Sequence, residues 1–156
     1  MNRAAEIIST VFYIGYIPYA PGTFGSLAAL CICALTGFYF LSYWNLICII
    51  LSILFFLTGL FASSHITTIT KEQDPSYIVI DELSGQALVF ALVPFKLTNL
   101  ILGFLLFRFF DIYKPWPINR SQKLISGWGI MVDDVIAGAY SAIILLLINK
   151  TYEIKI

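Results

Sequence analysis

The 156-residue chain is poor in charge and in the residue types that build many soluble active sites. Its single histidine, His65, excludes catalysis through paired histidines. The three cysteines, Cys31, Cys33 and Cys48, lie in apolar segments, and none begins a Cys-x5-Arg anion-binding loop. Nine basic residues balance nine acidic ones, so the sequence shows no bulk attraction to nucleic acid.

Apolar residues take the place of the missing charge. They make up 60% of the chain, against 12% charged residues, and the mean hydropathy is +0.89. Residues 27–43 and 45–70 contain no aspartate, glutamate, lysine or arginine, and helices of such length cross a hydrocarbon core of about 30 Å. The sequence therefore predicts an all-α, polytopic membrane helix bundle of about four to five segments, forming one domain over residues 1–156.

Apolar runs and breaker residues set the expected segment boundaries. We expect spans near residues 26–43, 45–66, 77–92, 97–110 and 130–148. Residues 4–17 are too short and too interrupted to be assigned to a span. Two prolines and two glycines in the stretch 18–26 predict a non-helical loop, with Ser26 as the N-cap of the first span.

Charged residues border these segments in three clusters: Asp81-Glu82, Arg108 with Asp111 and Lys114, and Asp133-Asp134. A charge at bilayer depth costs roughly 2.5–3.5 kcal/mol. Carboxylates that border apolar segments are therefore expected to bind something cationic, and this points to a functional site. If the five segments alternate in direction, all three clusters and the Pro/Gly loop meet at one membrane interface. We expect the active site there.

The cations predict which side of the membrane this interface faces. Six lie on the side of the clusters: Arg3, Lys71, Arg108, Lys114, Arg120 and Lys123. Three lie on the other side: Lys96, Lys150 and Lys155. The positive-inside rule then places the site on the cytoplasmic face.

The clusters contain what phosphoryl hydrolysis requires. Hard carboxylate oxygens without a nearby histidine or cysteine favour Mg²⁺ over Zn²⁺. Arg108, Asp111 and Lys114 share one helical face if the helix continues that far, and both cations suit phosphate oxygens. Neighbours such as Asp81 and Glu82 diverge by about 100° on a helix, so both face one ion only with help from their surroundings. Without it, one can bind metal while the other orients a ligand or water.

Small residues follow both acidic pairs, at Ser84-Gly85 and Ala137-Gly138. Such residues allow helices to approach closely, and two such helices side by side would bring four carboxylates together. The simpler alternative is interfacial solvation of the acids, or ion pairs between them and Arg108 and Lys114.

Four sequence blocks resemble phosphatidylglycerophosphatase A. They are Ala20-Pro-Gly-Thr-Phe-Gly-Ser26, Ile78-Val-Ile-Asp-Glu-x-x-Gly85, Phe107-Arg-Phe-Phe-Asp-Ile-Tyr-Lys-Pro-Trp-Pro-Ile118 and Gly129-Ile-Met-Val-Asp-Asp-x-x-Ala-Gly138. The resemblance implies a Mg²⁺-dependent enzyme of the bacterial inner membrane. Its substrate would be phosphatidylglycerophosphate in the lipid bilayer, and its products phosphatidylglycerol and phosphate.

The residues of this chain that match the family blocks are the candidate site. We assign Asp81, Glu82, Asp111 and Asp134 as catalytic residues. Thr23, Arg108 and Lys114 are assigned to substrate binding. The expected Mg²⁺ ligands are Asp81, Glu82, Asp133 and Asp134. Asp74 also fits the run that precedes the first acidic pair.

Direct attack by a metal-activated water is the expected mechanism, since no Asp-x-Asp-x-Thr signature supports an aspartyl-phosphate. One alternative is a phosphatase of another lipid or of a soluble phosphomonoester. Another is a small ion or metal transporter, although transporters usually place ionisable groups near mid-bilayer on broken helices. A third is a structural membrane protein that binds anionic lipid through its basic loop.

Overall fold

The computed structural model describes residues 2–153, with side chains as far as Thr151, so Lys155 lies outside the described residues. Over that range the chain is helical and contains no β-strand. The helices are α1 (Arg3–Ser9), α2 (Pro21–Tyr39), α3 (Trp44–Thr70), α4 (Ile80–Leu92), α5 (Leu97–Tyr113), α6 (Ile118–Ser121) and α7 (Gly127–Glu153).

Three helical stretches are long and apolar enough to cross a membrane: Pro21–Tyr39, Leu41–Thr70 and Gly127–Thr151. The all-α class is therefore confirmed, with three candidate spans. Helix α4 has 13 residues and α5 has 17, which gives lengths of about 20 and 26 Å, short of a hydrocarbon core of about 30 Å.

The start of α2 corrects the prediction of a non-helical loop up to Ser26. The helix begins at Pro21, after Ala20 in a left-handed conformation with φ of 48°. Proline suits the first helical position because its missing N–H has no intrahelical partner there. Ser26 is therefore an interior residue of α2 rather than an N-cap, and its hydroxyl donates to the Gly22 carbonyl oxygen at 2.9 Å.

Helix α4 is the buried centre of the fold, and it packs against α2, α3, α5 and α7. Its side chains are almost all buried. Ser52 and Ser84 each donate to the other's carbonyl oxygen, at 2.9 and 3.1 Å, which ties α4 to α3. The Asn45 amide donates to carbonyl oxygens at the end of α4, the shortest of these bonds reaching Val93 at 2.8 Å.

The crossing of α4 and α7 depends on two glycines. A methyl group added to Gly138 would meet the Gly85 backbone, with the Gly85 carbonyl carbon at 3.1 Å. One added to Gly85 would meet the Asp134 carbonyl oxygen. This confirms the close helix approach that the small residues predict, and it sets both acidic pairs side by side.

The N-terminal segment, left unassigned from the sequence, forms α1 and a 3-10 turn at Ile14–Tyr16. The backbone N–H of Val79, which precedes α4, donates to the Ser9 carbonyl oxygen at 2.9 Å. Gly15 lies so close to the Tyr77 backbone that a side chain would overlap it. The segment therefore fixes the entry to α4, where the first acidic pair lies.

Candidate active site

Three carboxylates meet where the first turn of α4 faces α7. Asp81, Glu82 and Asp134 each offer an oxygen, and these oxygens lie within 4.8 Å of one another. Both carboxylates of the first acidic pair therefore reach this cluster. Their Cα–Cβ bonds diverge, but side chains of different length bring both carboxylates back to one point.

The same three residues have unpaired oxygens. Asp81 Oδ1, Glu82 Oε2 and Asp134 Oδ2 are buried without a hydrogen-bond partner among the described residues. Burying an unpaired carboxylate oxygen is costly, and buried charges are normally paired or coordinate metal. We refer to Asp81, Glu82 and Asp134 as the acidic triad, and its donor set suits a hard cation.

Arg108, in the last turns of α5, connects the triad to its surroundings. Its Nη1 donates to Asp111 Oδ2 at 2.5 Å and to the Ser26 hydroxyl at 3.3 Å. The same atom lies 3.8 Å from Glu82 Oε1. Its Nε is buried without a partner among the residues described. This guanidinium is thus fixed on one side and retains a free donor for an anion.

Lys114 reaches the second acidic pair from outside a helix. Helix α5 ends at Tyr113, and Lys114 adopts a left-handed conformation with φ of 45°, so the predicted helical face shared with Arg108 and Asp111 stops short of it. Even so, its Nζ donates to Asp133 Oδ2 at 2.6 Å and lies 3.9 Å from Asp111 Oδ1.

The charge of Lys114 follows from these neighbours. Burial lowers the pKa of Lys114, but the carboxylates of Asp133, Asp134 and Asp111 together raise it more, with Asp133 as the largest contributor among them. Its net pKa lies above the ordinary lysine value, so Lys114 is a cation at neutral pH. Asp133, predicted as a metal ligand, is thereby paired with Lys114 and lies outside the acidic triad.

The first turn of α2 closes the site. A side chain at Gly22 would overlap Glu82 Oε1 and lie 3.2 Å from Arg108 Nη1. Thr23 follows in the same turn, is partly buried, and donates its N–H to the Ala20 carbonyl oxygen at 2.9 Å. The N-terminus of a helix, with its free N–H groups and positive end of the dipole, attracts anions.

Two residues at the site, Gly22 and Ser26, and the buried Gln86 on α4 are not among the site residues predicted from the sequence. Gly22 and Ser26 lie in the block 20–26, for which the sequence predicts a loop and an N-cap. Gln86 is fully buried one turn after Glu82, and neither polar atom of its amide has a described partner. A polar residue four positions after an acid in an apolar segment is a signal that could have identified it.

Other polar candidates are exposed rather than buried in the cluster. His65 is exposed on α3 and lines a groove with α1. The side chains of Asp74, Arg120 and Lys123 are also exposed. Trp116 and Trp128 are more than half exposed, as an aromatic belt at a membrane interface requires.

Together the fold and the site define an apolar helical protein with three candidate membrane spans and a buried acidic pocket flanked by Arg108 and Lys114. The family model of Phosphatidylglycerophosphatase A matches residues 7–149. The chain therefore belongs to the phosphatidylglycerophosphatase A family, and it is a phosphoric monoester hydrolase.

Several curated proteins are similar over most of their length. Phosphatidylglycerophosphatase A of Haemophilus influenzae is 39% identical over 147 residues, covering 92% of this chain and 88% of the relative. Phosphatidylglycerophosphatase A of Escherichia coli is 31% identical over 163 residues, covering 100% of this chain and 90% of the relative. A protein of Bacteroides thetaiotaomicron named "Putative phosphatidylinositol-3-phosphatase" is 35% identical, covering 89% of each chain. No solved structure matches the chain significantly.

Proposed function

We propose that this protein hydrolyses the terminal phosphate of phosphatidylglycerophosphate, in a Mg²⁺-dependent reaction at the cytoplasmic face of a bacterial inner membrane. Membership of the phosphatidylglycerophosphatase A family supports phosphatidylglycerophosphate as the substrate. The observation that carries the chemistry is the acidic triad, whose three oxygens lie within 4.8 Å of one another while each carboxylate retains an unpaired, buried oxygen. Structural ion pairs would leave no such oxygens unpaired.

Asp81, Glu82 and Asp134 would hold the Mg²⁺, which when bound neutralises charge that develops on the phosphate oxygens. Asp133 is a weaker candidate for a Mg²⁺ ligand than these three residues, because Lys114 Nζ already contacts its Oδ2 at 2.6 Å. Its Oδ1 accepts the backbone N–H of Asp134 at 3.1 Å. Asp133 is thus placed to position Asp134.

The cationic side of the pocket would bind the phosphate. Arg108 is fixed at Nη1 by Asp111 and Ser26, and its free Nε would donate to a phosphate oxygen. The first turn of α2 would add the Thr23 hydroxyl and the positive end of the helix dipole from the other side. Lys114 supplies a point charge nearby.

An acid of the triad would act as the general base. Glu82 is the acid best placed for this role. One of its oxygens faces Arg108, which would hold the phosphate, and the other is unpaired and could accept a proton. It would accept a proton from the attacking water as the new P–O bond forms. The P–O bond to the glycerol then breaks, and the leaving oxygen would take the proton that Glu82 accepted from the water.

A second substrate class follows from one comparison. The Bacteroides relative is 35% identical, and its name refers to a 3-phosphate of phosphatidylinositol. A site that binds a phosphomonoester at the end of a lipid headgroup would accept either substrate, with the headgroup contacts deciding between them.

The decisive experiment measures phosphate release by purified protein from phosphatidylglycerophosphate and from phosphatidylinositol 3-phosphate, with Mg²⁺ or with EDTA. We expect release from the first substrate, loss in EDTA, and recovery on adding Mg²⁺. Glu72→Gln, which removes an exposed acid outside the cluster, is the matched control and should stay fully active. Full activity in EDTA would refute metal dependence, and uptake of ions by proteoliposomes without hydrolysis would favour a transporter.

The proposed sidedness has a separate test. Cys31 is the exposed cysteine, whereas Cys33 and Cys48 are buried. Cys31→Ser therefore removes the native thiol that a maleimide would otherwise label. Trp116→Cys on that background places a thiol at an exposed position near the site. We expect a membrane-impermeant maleimide to label it only in inside-out vesicles. Labelling in intact spheroplasts would reverse the proposed topology.

A further inference from the structure

We propose that a groove on the outer face of α5 binds an acyl chain of the phospholipid substrate. It has a volume of about 450 Å³ and is lined by Leu105, Arg108, Phe109, Ile112 and Tyr113. This inference rests on the proposed function, since it assigns the apolar part of the same substrate. It names an occupant for a surface that the reaction itself does not use.

Arg108 joins this groove to the acidic triad. Its side chain is only 15% exposed, yet it lines the groove while its Nη1 contacts Asp111, Ser26 and Glu82. A phosphate held by the Arg108 guanidinium would therefore lie at the Arg108 end of the groove. The remainder of the lipid would then extend from the headgroup along the surface of α5.

The other walls of the groove suit hydrocarbon. Leu105, Phe109, Ile112 and Tyr113 are each more than half exposed, so they form a continuous apolar surface on one side of the helix. The rings of Phe109 and Tyr113 are stacked, with centroids 5.6 Å apart and planes 11° apart. Such a stacked pair gives the groove a firm edge against which a chain can pack.

A second groove serves as the internal comparison. It lies between the N-terminal segment, α3 and α4, has a volume of about 210 Å³, and is lined by apolar residues and Thr58. No charged side chain lines it. Its α4 residues, Ile80 and Leu83, lie on the side of that helix away from Glu82. A lipid tail there would have no direct path to the cationic side of the pocket.

The kinetic test fills each groove with one tryptophan. Leu105→Trp narrows the α5 groove, and Leu54→Trp is the matched control in the other groove, since these leucines are 55% and 51% exposed. Each variant is assayed on long-chain phosphatidylglycerophosphate in mixed micelles and on a short-chain, monomeric form.

We expect Leu105→Trp to lower kcat/KM for the long-chain lipid about tenfold, because a misplaced tail misorients the phosphate. It should leave the short-chain substrate within about twofold, and Leu54→Trp should leave both substrates unchanged. An equal loss on both substrates, or an equal effect of the two tryptophans, would overturn the proposal.

A binding test keeps the proposal falsifiable if Leu105→Trp does not fold. The unmodified protein in lipid vesicles is photolabelled with phosphatidylglycerophosphate that carries a diazirine in one acyl chain, and the adducts are mapped by mass spectrometry. We expect adducts on Leu105, Phe109 or Ile112 that excess unlabelled substrate removes and excess phosphatidylcholine does not. Adducts elsewhere, or adducts that both lipids remove equally, would refute the groove.

The two proposals fail in different ways. No phosphate release from the short-chain substrate by the unmodified protein would refute the proposed function. Normal short-chain hydrolysis with no competed labelling along α5 would refute the groove alone.

Discussion

The two acidic pairs are alike in sequence but differ in their surroundings. In the first, Asp81 and Glu82 both contribute to the acidic triad. In the second, Asp134 joins the triad, whereas Asp133 pairs with Lys114 at 2.6 Å. A repeated pair of acids thus yields three converging carboxylates and one that neutralises a lysine.

The difference arises from what each helix faces. The acids of α4 lie at the start of a buried helix, between α7 and the Arg108 side of the pocket. Asp133 instead meets the chain beyond α5, where Lys114 extends from a left-handed turn. A carboxylate that is already paired with a fixed cation, as Asp133 is with Lys114, is less available to bind a metal ion than the carboxylates of the triad.

The largest expected effect is the loss of one triad carboxylate. Asp134→Asn and Asp81→Asn remove a charge while keeping the side-chain size, and each should lower kcat about 10³-fold. Phosphate release at saturating Mg²⁺ measures this, with thermal stability in detergent as the check on folding. Near-normal activity in both variants would show that the triad carboxylates are not needed for the reaction.

A smaller effect is expected at the other member of the second pair. Asp133→Asn should lower activity about 10–100-fold, as substitutions that support a metal ligand usually do. It leaves Lys114 partly buried without its 2.6 Å partner, so stability should fall as well.

The Mg²⁺ concentration for half-maximal activity separates the two aspartates. Asp133→Asn should retain a measurable maximal rate with a raised Mg²⁺ requirement, whereas Asp134→Asn should not recover at any Mg²⁺ concentration. Equal losses in both variants would mean that the pair acts as one unit, and the comparison would fail.

Much of the helical layout could be predicted because apolar length is a strong signal. Helix α3 begins at Trp44 against an expected 45, and α5 begins at Leu97 as expected. The start of α2 was missed because Pro21 and Gly22 suit either a loop or a first helical turn, and local composition does not separate the two.

Burial within the bundle could not be read from the sequence. Helix α4 is apolar like α3, but its side chains are almost all buried, while α3 presents many to its surroundings. In a membrane protein both lipid-facing and protein-facing positions are apolar, so hydropathy carries little information on packing.

The charged residues were predictable as a set but not in their pairing. Family resemblance and the alternation of segments selected Asp81, Glu82, Arg108, Asp111, Lys114, Asp133 and Asp134, and the structure brings them together. Which carboxylate faces which cation depends on side-chain reach and on the end of α5. Helical spacing alone does not determine either.

The crossing that joins the two pairs gives the next prediction. Gly138→Ala places a methyl group against the Gly85 backbone, which cannot rotate away, so α4 and α7 must separate. We expect a loss of about 1–3 kcal/mol in stability and a clear loss of activity, since Asp81 and Asp134 move apart.

Gly103→Ala is the matched control for the helix crossing. Its added methyl would meet side-chain carbons of Phe90, Val89 and Leu145 at 3.0–3.3 Å, and such side chains adjust more easily than backbone. Thermal unfolding and phosphate release should both change less than in Gly138→Ala. A reversed order would show that the glycine crossing does not hold the two pairs together.

The smallest expected effect lies on the other side of α4. Ser84→Ala removes one of the two hydrogen bonds with Ser52, while the Ser52 hydroxyl still reaches the Ser84 carbonyl oxygen at 2.9 Å. Stability should fall by about 0.6 kcal/mol, the typical value for a hydrogen bond between membrane helices. Ser141→Ala is the control, because that hydroxyl donates within its own helix to Ala137. Activity should stay within about twofold in both variants, since the remaining Ser52 bond and the α4–α7 crossing still hold the triad in place. A large loss of activity in Ser84→Ala alone would mean that α3 sets the first acidic pair, and the difference between the two pairs would then begin with their packing rather than with Lys114.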